Sequence, residues 1–589
     1  MEAMVEIFGQ LSGRDRQHAV EILNQRLSPA ERRAVTDSLE RKGRSRKTVE
    51  SLVVDVERRS TRGRPRTHLP DEALAEFIVN RCGLALLESF EIRRLLVLRA
   101  TPDQRDRLKS YPGADPARGS IKAQAEAIAK RKWHAGKSWP RYFVKVLDLP
   151  FAFAGLSGSP KEPDTLEVVP FVPLAELTDF QADLKDQALG VLDDEPGRNR
   201  GILTMPTGAG KTRTAVESLV AWRLERSGNL VVLWIAQSEE LCEQAVQAFK
   251  EVWIDLGHRS EVRSNLQIAR FWGATAVVPD EADVVVASIQ KLQSAVREED
   301  SPKRAKLGEL GERIGAVVVD EAHRIGAPSY REVLGFLKID LSRSAKAEIP
   351  LLGLTATPFR SDDEETAGMA DMFHRRLLRA ESLGDEPIKE LRSRGVLSVA
   401  EHEVLEHAAS PFVMDRDKRF VDHYEQFHDF HSGFLQEIGE SEQRNRALFT
   451  RLMDIPPECP TLFFGCTVEH AEAMSILLRR AGRSAEVVTG DTRAATRRAI
   501  IEEFRDGRIS VLCNFGVLTT GFDAPRVGAL VIGRPTTSRV LYAQMIGRGM
   551  RGPLFRGTEK CLVVDVRDNI RFHGDGELAY NKYTDFYRD

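Results

Sequence analysis

The stretch "VVVDEAHRIG", from Val317 to Gly326, places three β-branched residues directly before two adjacent carboxylates, Asp320 and Glu321, and then His323. A strand that is buried on both faces reads as a continuous apolar run, and such strands usually belong to parallel sheets covered by helices. Open sheets of this kind bind ligands beyond the carboxyl ends of their strands. The stretch therefore predicts a parallel α/β sheet with a charged binding edge.

Apolar runs of the same kind recur along the chain and alternate with amphipathic segments. A first series contains "NLVVLWIAQ", "ADVVVASIQ", "GAVVVDEAH" and "PLLGLTATP", and a second contains "PTLFFGC", "SAEVVTG", "ISVLCNF", "ALVIGRP" and "KCLVVDV". Buried strands that alternate with helices are typical of parallel α/β domains. We expect two such domains in succession, over residues 175–395 and 396–589.

The first 155 residues have a different pattern, with helix-start signals and little strand-like alternation. In "SPAERRAV", Ser28 is placed to cap a helix, Pro29 stands at its first position and Glu31 completes a capping box. Residues 156–174 are rich in Gly, Pro and Ser. We predict a mostly helical domain over residues 1–155 and a linker over 156–174.

The composition, with 42% hydrophobic and 29% charged residues in a chain of 589, indicates a globular protein of several domains. No apolar run reaches the roughly 18 residues that span a membrane, and the N-terminus lacks a secretory signal pattern. The six cysteines are scattered without a CxxC pair. The sequence therefore predicts a cytoplasmic protein with no membrane contact, no zinc site and no disulfide framework.

The net charge of −3 conceals an asymmetry, because residues 1–170 hold 31 Lys and Arg against 23 Asp and Glu. Ten of these basic residues lie between Arg41 and Arg66. Within them, "RGRP" matches the core of an AT-hook, in which Arg62 and Arg64 would enter an A·T-rich minor groove. A solvated basic loop and general phosphate binding are the alternatives. We expect an anionic partner for this region.

A second basic stretch, "AKRKWHAGKSWPRYFVKVL" over residues 129–147, interleaves Lys and Arg with Trp, Tyr and Phe. Basic groups combined with stacking rings suit single-stranded nucleic acid. In a small helical domain, aromatic rings are more often part of the core. Both interpretations remain open from the sequence.

The segment "GILTMPTGAGKTRTAVESL" predicts a strand, a small-residue loop and a helix. Gly208 and Gly210 would let backbone N–H groups surround phosphate oxygens at a helix N-terminus. Lys211 would reach the β- and γ-phosphates, and the Thr212 hydroxyl would ligate Mg²⁺. The loop departs from the usual nucleotide-binding pattern, because Met205 replaces its first glycine.

The phosphate loop contains no carboxylate, whereas the stretch "VVVDEAHRIG" offers two, Asp320 and Glu321. A Mg²⁺·ATP site needs one carboxylate to hold the metal and a second group to orient water, and Asp320 and Glu321 fit these roles. The alternative is a solvated strand end with two surface carboxylates. We expect ATP and Mg²⁺ as ligands.

These motifs, MPTGAGKT, DEAH and TATPF, resemble the core of the superfamily 2 helicases, which consists of two RecA-like domains. Further segments match the motifs of that family in order: "LTDFQADL", "WIAQSEELCEQA", "VASIQKL", "LFFGCTVEHAE", "VVTGD", "VLTTGFDAP" and "LYAQMIGRGMRG". The resemblance covers about residues 175–570. It implies two tandem RecA-like parallel-sheet domains behind the basic helical domain.

The resemblance also implies roles for individual residues. Those implied in binding ATP are Phe180, Gln181, Thr207, Gly208, Ala209, Gly210, Lys211, Thr212, Gly521 and Asp523. Those implied in catalysis are Lys211, Asp320, Glu321, Gln544, Arg548 and Arg551, with Thr212 and Asp320 on the metal. His323, Thr355 and Thr357 would couple the ATP site to a nucleic-acid track formed by Ser288, Gln290, Gly490, Thr519 and Thr520.

The stretch "QMIGRGMR" predicts a catalytic surface if it forms one continuous helix. Gln544, Arg548 and Arg551 would then lie at i, i+4 and i+7 and share a face. The two arginines would stabilise transition-state charge on the γ-phosphate. Gly547 is unusual in a helix interior, where Gly costs about 1 kcal/mol relative to Ala. A close backbone approach would explain it.

DEAH combined with "QMIGRGMR" and "GFDAP" is similar to the XPB-like and restriction-enzyme helicases, which implies DNA more than RNA as the partner. We expect an ATP-dependent DNA helicase or translocase, with a possible role in repair, transcription, restriction or anti-phage defence. The alternatives are an RNA helicase and a nucleic-acid sensor whose ATPase acts as a switch. The N-terminal domain would bind nucleic acid or a protein partner.

Overall fold

The computed structural model describes most of the chain. The described residues are 13–40, 71–112, 119–134, 137–154, 165–168, 174–194, 198–226, 228–259, 261–262, 264–273, 276–342, 349–356, 363–384, 386–407, 409, 412–427, 429–490, 492, 494–518, 526–568, 570–572 and 576–577. Within these ranges, no helix is long and apolar enough to cross a membrane.

The N-terminal domain is built from short helices, as the sequence predicts. They are α1 (Gly13–Arg26), α2 (Pro29–Glu40), α3 (Asp71–Cys82), α4 (Phe90–Leu98), α5 (Pro102–Lys109), α6 (Ile121–Ala129) and α7 (Ser138–Val146). The predicted capping box before α2 is confirmed, because the Glu31 carboxylate accepts a hydrogen bond from the Ser28 N–H (2.8 Å). Leu23, Leu96 and Phe143 lie in one fully buried core that these helices share.

The first α/β domain, here called lobe 1, contains an eight-stranded sheet in the order β1-β4-β5-β3-β6-β7-β2-β8. Its strands are β1 (Thr165–Val168), β2 (Arg200–Thr204), β3 (Val231–Ala236), β4 (Leu266–Phe271), β5 (Val284–Ser288), β6 (Ile314–Asp320), β7 (Leu351–Thr355) and β8 (Leu377–Leu378). Its helices are α8 (Asp179–Leu192), α9 (Lys211–Leu224), α10 (Glu239–His258), α11 (Ile289–Arg297), α12 (Pro302–Gly311), α13 (Pro328–Phe336), α14 (Asp363–Met372) and α15 (Pro387–Ser393). Strands β2 to β8 pair in parallel, and β3, β5, β6 and β7 are buried at every or almost every position. The predicted parallel sheet is therefore confirmed.

Strand β1 lies within the stretch predicted as a linker. It pairs antiparallel with β4, with Thr165 opposite Ala269 and Val168 opposite Leu266. The stretch therefore adds an edge strand to lobe 1, which its Gly, Pro and Ser content did not indicate.

The second α/β domain, lobe 2, contains a six-stranded parallel sheet in the order β12-β13-β11-β14-β15-β9. Its strands are β9 (Val399–Leu405), β11 (Thr461–Phe464), β12 (Ala485–Val488), β13 (Val511–Asn514), β14 (Ala529–Ile532) and β15 (Lys560–Val566). Its helices are α18 (Glu442–Asp454), α19 (Val468–Arg480), α20 (Ala494–Arg505) and α21 (Arg539–Ile546). The second predicted series of strands is confirmed.

A small module extends lobe 2 beyond the carboxyl ends of β9 and β15. It consists of a three-stranded sheet, β10 (Phe412–Val413), β16 (Ile570–Phe572) and β17 (Gly576–Glu577), with helices α16 (Lys418–Phe427) and α17 (Ser432–Gly439). Below it, the fully buried Arg444 guanidinium donates to both Asp568 carboxylate oxygens at 2.6 and 2.8 Å. This buried ion pair fixes the C-terminal end of β15 against α18.

The N-terminal domain packs against lobe 2. Ala73, Leu74 and Phe77 of α3 are buried in the same cluster as side chains of α18 and α19. The buried Arg16 of α1 forms an ion pair with Glu486 on the edge strand β12. An apolar contact and a buried charge pair thus hold the domain on lobe 2.

Candidate active site

The phosphate loop lies between β2 and α9 at the carboxyl edge of the lobe 1 sheet. Gly208 (φ 91°) and Gly210 (φ 92°) adopt left-handed conformations, and α9 begins at Lys211. A Cβ atom on Gly210 would lie 2.2 Å from Nε2 of Gln181. Both the backbone conformation and the lack of space therefore require glycine at this position.

Gln181 connects the first helix of lobe 1 to this loop. Its Oε1 accepts a hydrogen bond from the Thr178 N–H (3.1 Å), and its Nε2 donates to the Ala209 carbonyl (3.0 Å). The side chain is 1% exposed, and the neighbouring Phe180 is fully buried. Gln181 thus positions the loop, while its role toward the adenine stays a prediction.

The two carboxylates follow β6, next to the loop. Asp320 and Glu321 are 3% and 8% exposed, and Oδ1 of Asp320 accepts a hydrogen bond from the Glu321 N–H (3.0 Å). Glu321 has a left-handed backbone (φ 52°, ψ 52°). This conformation costs a non-glycine residue about 1–3 kcal/mol, and such strain is concentrated at functional sites.

His323 links the ends of two neighbouring strands. Its Nδ1 lies 3.3 Å from Oε2 of Glu321 and 3.3 Å from Oγ1 of Thr355 at the end of β7. His323 is 5% exposed and Thr355 is fully buried. The histidine therefore links the Glu321 carboxylate to the end of β7, whereas Thr357 lies outside the described residues.

The surroundings of the two carboxylates shift their pKa values in opposite directions. Burial raises the pKa of Asp320 to about 6, although the nearby Lys211 opposes this shift. Burial would also raise the pKa of Glu321, but Lys211 and a hydrogen bond from His323 outweigh it, and the pKa of Glu321 falls to about 2. Burial thus destabilises the ionised form of Asp320 more than the neighbouring positive charges stabilise it. A bound cation would stabilise the ionised carboxylate.

Lobe 2 reaches the phosphate loop through the turn that follows α21. A Cβ atom on Gly547 would lie 2.5 Å from Cβ of Thr207, and one on Gly208 would lie 3.7 Å from Cα of Arg551. The expected close approach at Gly547 is confirmed. The assumption of one continuous helix is wrong, because α21 ends at Ile546.

The residues of this turn take different positions. Arg551 forms an isolated bridge with Leu397, and its carbonyl accepts a hydrogen bond from the Ser398 hydroxyl (2.6 Å). Arg548 lowers the pKa of both Asp320 and Glu321 through its charge, so the guanidinium acts across the cleft. Gln544 is 6% exposed within α21. The role of Arg548 toward the transferred phosphate stays a prediction.

Three of the residues predicted to contact nucleic acid, Ser288, Gln290 and Gly490, lie at the carboxyl edges of the sheets. Ser288 caps α11 by accepting a hydrogen bond from the Lys291 N–H (3.3 Å), and Gln290 donates to the Gln237 carbonyl (2.9 Å). Gly490 follows β12. The other residues predicted for this track or for ATP lie outside the described residues; these are Arg62, Arg64, Thr519, Thr520, Gly521 and Asp523.

One contact between the lobes was not predicted. Arg497 of α20 forms an ion pair with Glu240 of α10, and its Nη2 also donates to the Thr492 carbonyl (3.1 Å). Glu240 belongs to the segment "WIAQSEELCEQA", which identified one side of the contact. No sequence pattern distinguishes Arg497 from its neighbouring arginines, so the pair required the structure.

Comparisons with known proteins match both lobes. Residues 174–360 match the family "Type III restriction enzyme, res subunit", and residues 445–552 match the family "Helicase conserved C-terminal domain". The protein named "Putative ATP-dependent helicase IRC3" of Saccharomyces cerevisiae is 27% identical over 66% of this chain and 51% of its own length. "Putative mitochondrial ATP-dependent helicase irc3" of Schizosaccharomyces pombe is 27% identical over 69% of this chain and 60% of its own length.

A further relative is the "Type I restriction enzyme EcoKI endonuclease subunit" of Escherichia coli, which is 26% identical over 60% of this chain and 31% of its own length. The chain thus spans between about a third and three fifths of the length of these relatives. The matches fall on the phosphate loop, the carboxylate pair and the arginine turn that the structure brings together. The two-domain core of this chain is thus similar to that of the superfamily 2 helicases.

Proposed function

We propose that the protein is an ATP-dependent DNA translocase or helicase that hydrolyses ATP between its two lobes. The observation that carries this proposal is the contact between the lobes at the phosphate loop, where a Cβ atom on Gly547, next to Arg548, would lie 2.5 Å from Cβ of Thr207. The catalytic set is therefore complete only when the cleft is closed. A site divided in this way links hydrolysis to movement of one lobe against the other.

The residues of lobe 1 bind the nucleotide and orient the water. The backbone N–H groups around Gly208 and Gly210 and the N-terminus of α9 hold the phosphates, and Lys211 contacts the β- and γ-phosphates. Glu321, whose pKa lies well below neutrality, stays ionised and accepts a hydrogen bond from the attacking water. Arg548 stabilises the negative charge that develops on the transferred phosphoryl group.

The donor set also fits a divalent cation. Asp320 is an almost fully buried carboxylate whose pKa is raised by burial, and Thr212 lies one residue beyond the start of α9. These two side chains would hold Mg²⁺, which neutralises phosphate charge when bound.

DNA is the proposed track. The "Type III restriction enzyme, res subunit" family covers lobe 1, and the "DNA 3'-5' helicase XPB" of Mycobacterium tuberculosis is 24% identical over 46% of this chain. Both names refer to DNA enzymes, which supports DNA over RNA. The carboxyl edges of both sheets, which carry Ser288 and Gly490, would contact the phosphodiester backbone.

The test compares the rate of ATP hydrolysis without nucleic acid, with single-stranded DNA, with duplex DNA and with RNA of matched sequence. We expect at least one DNA to increase kcat more than the RNA does. Stimulation by RNA alone would overturn the choice of DNA, and no stimulation by any nucleic acid would overturn the proposed function. A strand-displacement assay on the stimulating DNA then separates a helicase from a translocase or a switch.

A further inference from the structure

Helix α7 separates the basic and aromatic residues of the stretch 129–147 onto two faces. Trp139, Phe143 and Val146 are 7%, 0% and 1% exposed and belong to the domain core. The ring of Phe143 packs edge-on against Trp133, with centroids 5.4 Å apart. Trp139 and Phe143 are therefore core residues and are not available to stack on bases.

The opposite face of α7 carries Arg141 and Lys145, and Lys137 stands at the N-cap position directly before the helix; we call these three cations the α7 ridge. Arg141 and Lys145 are four residues apart on one side of the helix, at an interval of about 6 Å along its axis, and Lys137 precedes Arg141 by the same number of residues. All three are exposed. The sequence 138–146 contains no acidic residue, and none of the three forms an ion pair with another residue in the described ranges.

A stacked arginine extends the basic surface before the helix. The Arg131 guanidinium lies 4.4 Å from the ring centroid of Trp139 and 5.4 Å from that of Tyr111. These aromatic faces hold the planar group in place. Lys132, the next residue, is exposed. The rings of Trp139 and Tyr111 thus hold the charged side chain of Arg131 in position.

Other cations of the same domain are compensated by carboxylates. Arg94 pairs with Glu91 (2.6 Å), Arg99 with Glu31 (2.8 Å) and Lys130 with Glu126 (2.7 Å). The α7 ridge differs from them because none of its three cations forms an ion pair with a carboxylate of the described residues. A row of uncompensated charge of this kind attracts a polyanion.

We propose that the α7 ridge binds the phosphodiester backbone of nucleic acid and does not read bases. The proposal rests on the proposed function and adds a contact outside the helicase core. A duplex carries one negative charge for about every 3.4 Å of helix axis on each strand, so cations about 6 Å apart can each approach a separate phosphate. Because Trp139 and Phe143 are buried and the ridge consists of cations that contact phosphates, binding should be equal on A·T-rich and G·C-rich DNA.

The experiment uses the full chain with Lys137, Arg141 and Lys145 all replaced by Gln. A matched control replaces Lys303, Arg304 and Lys306 of α12 by Gln, because these three cations also lie on one helix but each has a carboxylate partner. Binding of labelled duplex and single-stranded DNA is measured by fluorescence anisotropy between 50 and 300 mM NaCl, about the range in which counterion release dominates affinity. Melting temperatures establish that both variants remain folded.

We expect the slope of log K against log [NaCl] to become less negative by about 2.7 on duplex DNA and about 2.1 on single strands, which corresponds to three lost phosphate contacts. The control should keep the wild-type slope. Equal slopes for the ridge variant and the wild type would overturn the proposal and leave the ridge for an acidic protein partner. This failure differs from failure of the proposed function, in which no nucleic acid stimulates hydrolysis by the wild-type chain.

Discussion

Glu321 shows how the fold shapes a single residue for the role proposed for it in hydrolysis. Its backbone is left-handed directly after β6, and the contact with His323 holds its carboxylate. The low pKa keeps that carboxylate ionised throughout the neutral range. The fold accepts a strained conformation at this position because the surrounding strands determine it.

Replacement of Glu321 by Gln should separate nucleotide binding from hydrolysis. The amide keeps the size of the side chain but cannot take a proton from water, so we expect kcat to fall by on the order of 100-fold or more. The affinity for ATP should change far less. Glu309→Gln, at an exposed position of α12, is the matched control. A variant at Glu321 with parental kcat would contradict the water-orienting role.

His470 in lobe 2 predicts sensitivity to acid. Its Nδ1 accepts a hydrogen bond from the Cys466 N–H (3.1 Å). Burial lowers the pKa of His470 to about 3, and the charge of Arg444 acts in the same direction. In the unfolded chain the pKa of a histidine is about 6.5. Between about pH 3 and pH 6.5, the unfolded state therefore binds a proton at His470 more strongly than the folded state does. The stabilisation is therefore complete above pH 6.5 and is lost as the pH falls toward 3.

At pH 5 this linkage should lower the stability of lobe 2 by about 2 kcal/mol relative to neutral pH. Hydrogen exchange of the α19 amides, corrected for intrinsic rates, measures the loss. His470→Asn, whose Oδ1 can replace the acceptor, should make the pH dependence shallower, while His258→Asn at an exposed site should not. An unchanged dependence in His470→Asn would exclude this histidine as the cause.

At the scale of elements, the turn after α21 is the point where lobe 2 touches the phosphate loop. The absence of a side chain at Gly547 allows this contact, since an added Cβ would overlap with Thr207. Arg548 and Arg551 are therefore positioned by the backbone of the turn after α21 and not by a shared helical face.

Gly547→Ala should hold the cleft open without harming either lobe. We expect kcat to fall by on the order of 10-fold or more, with the melting temperature nearly unchanged, because the methyl group separates surfaces that meet only on closure. The control is Gly308→Ala in α12, where an added Cβ meets no atom within 4 Å. Normal kcat in Gly547→Ala would show that the turn can move away during catalysis.

At the scale of the whole molecule, the ion pair between Glu240 and Arg497 is a second contact between the lobes, separate from the turn after α21. Glu240→Gln and Arg497→Gln should each lower ATP hydrolysis without nucleic acid, since both remove the same attraction between the lobes. The double variant should be no worse than either single variant, as expected for residues that act on each other. Additive losses would mean that the two side chains act independently.

The sequence predicted the sheets better than the contacts between domains. Continuous apolar runs such as "VVVDEAH" identify buried parallel strands because both faces of those strands lack water. The short β1 was missed since an edge strand carries no such run. The pairs Glu240–Arg497 and Arg16–Glu486 were missed because they join residues 257 and 470 positions apart, and charge at one position gives no signal of its partner.

The position of β1 has a mechanical consequence. Helices α1 and α3 of the N-terminal domain pack on lobe 2, whereas β1 belongs to the sheet of lobe 1. Ten residues of chain separate Ala154 of the N-terminal domain from Thr165 of β1, so a short covalent link joins the two attachments. A fully extended segment of ten residues spans at most about 35 Å. While both attachments hold, this covalent tether limits how far the cleft can open, and every displacement of lobe 2 also carries the α7 ridge with it.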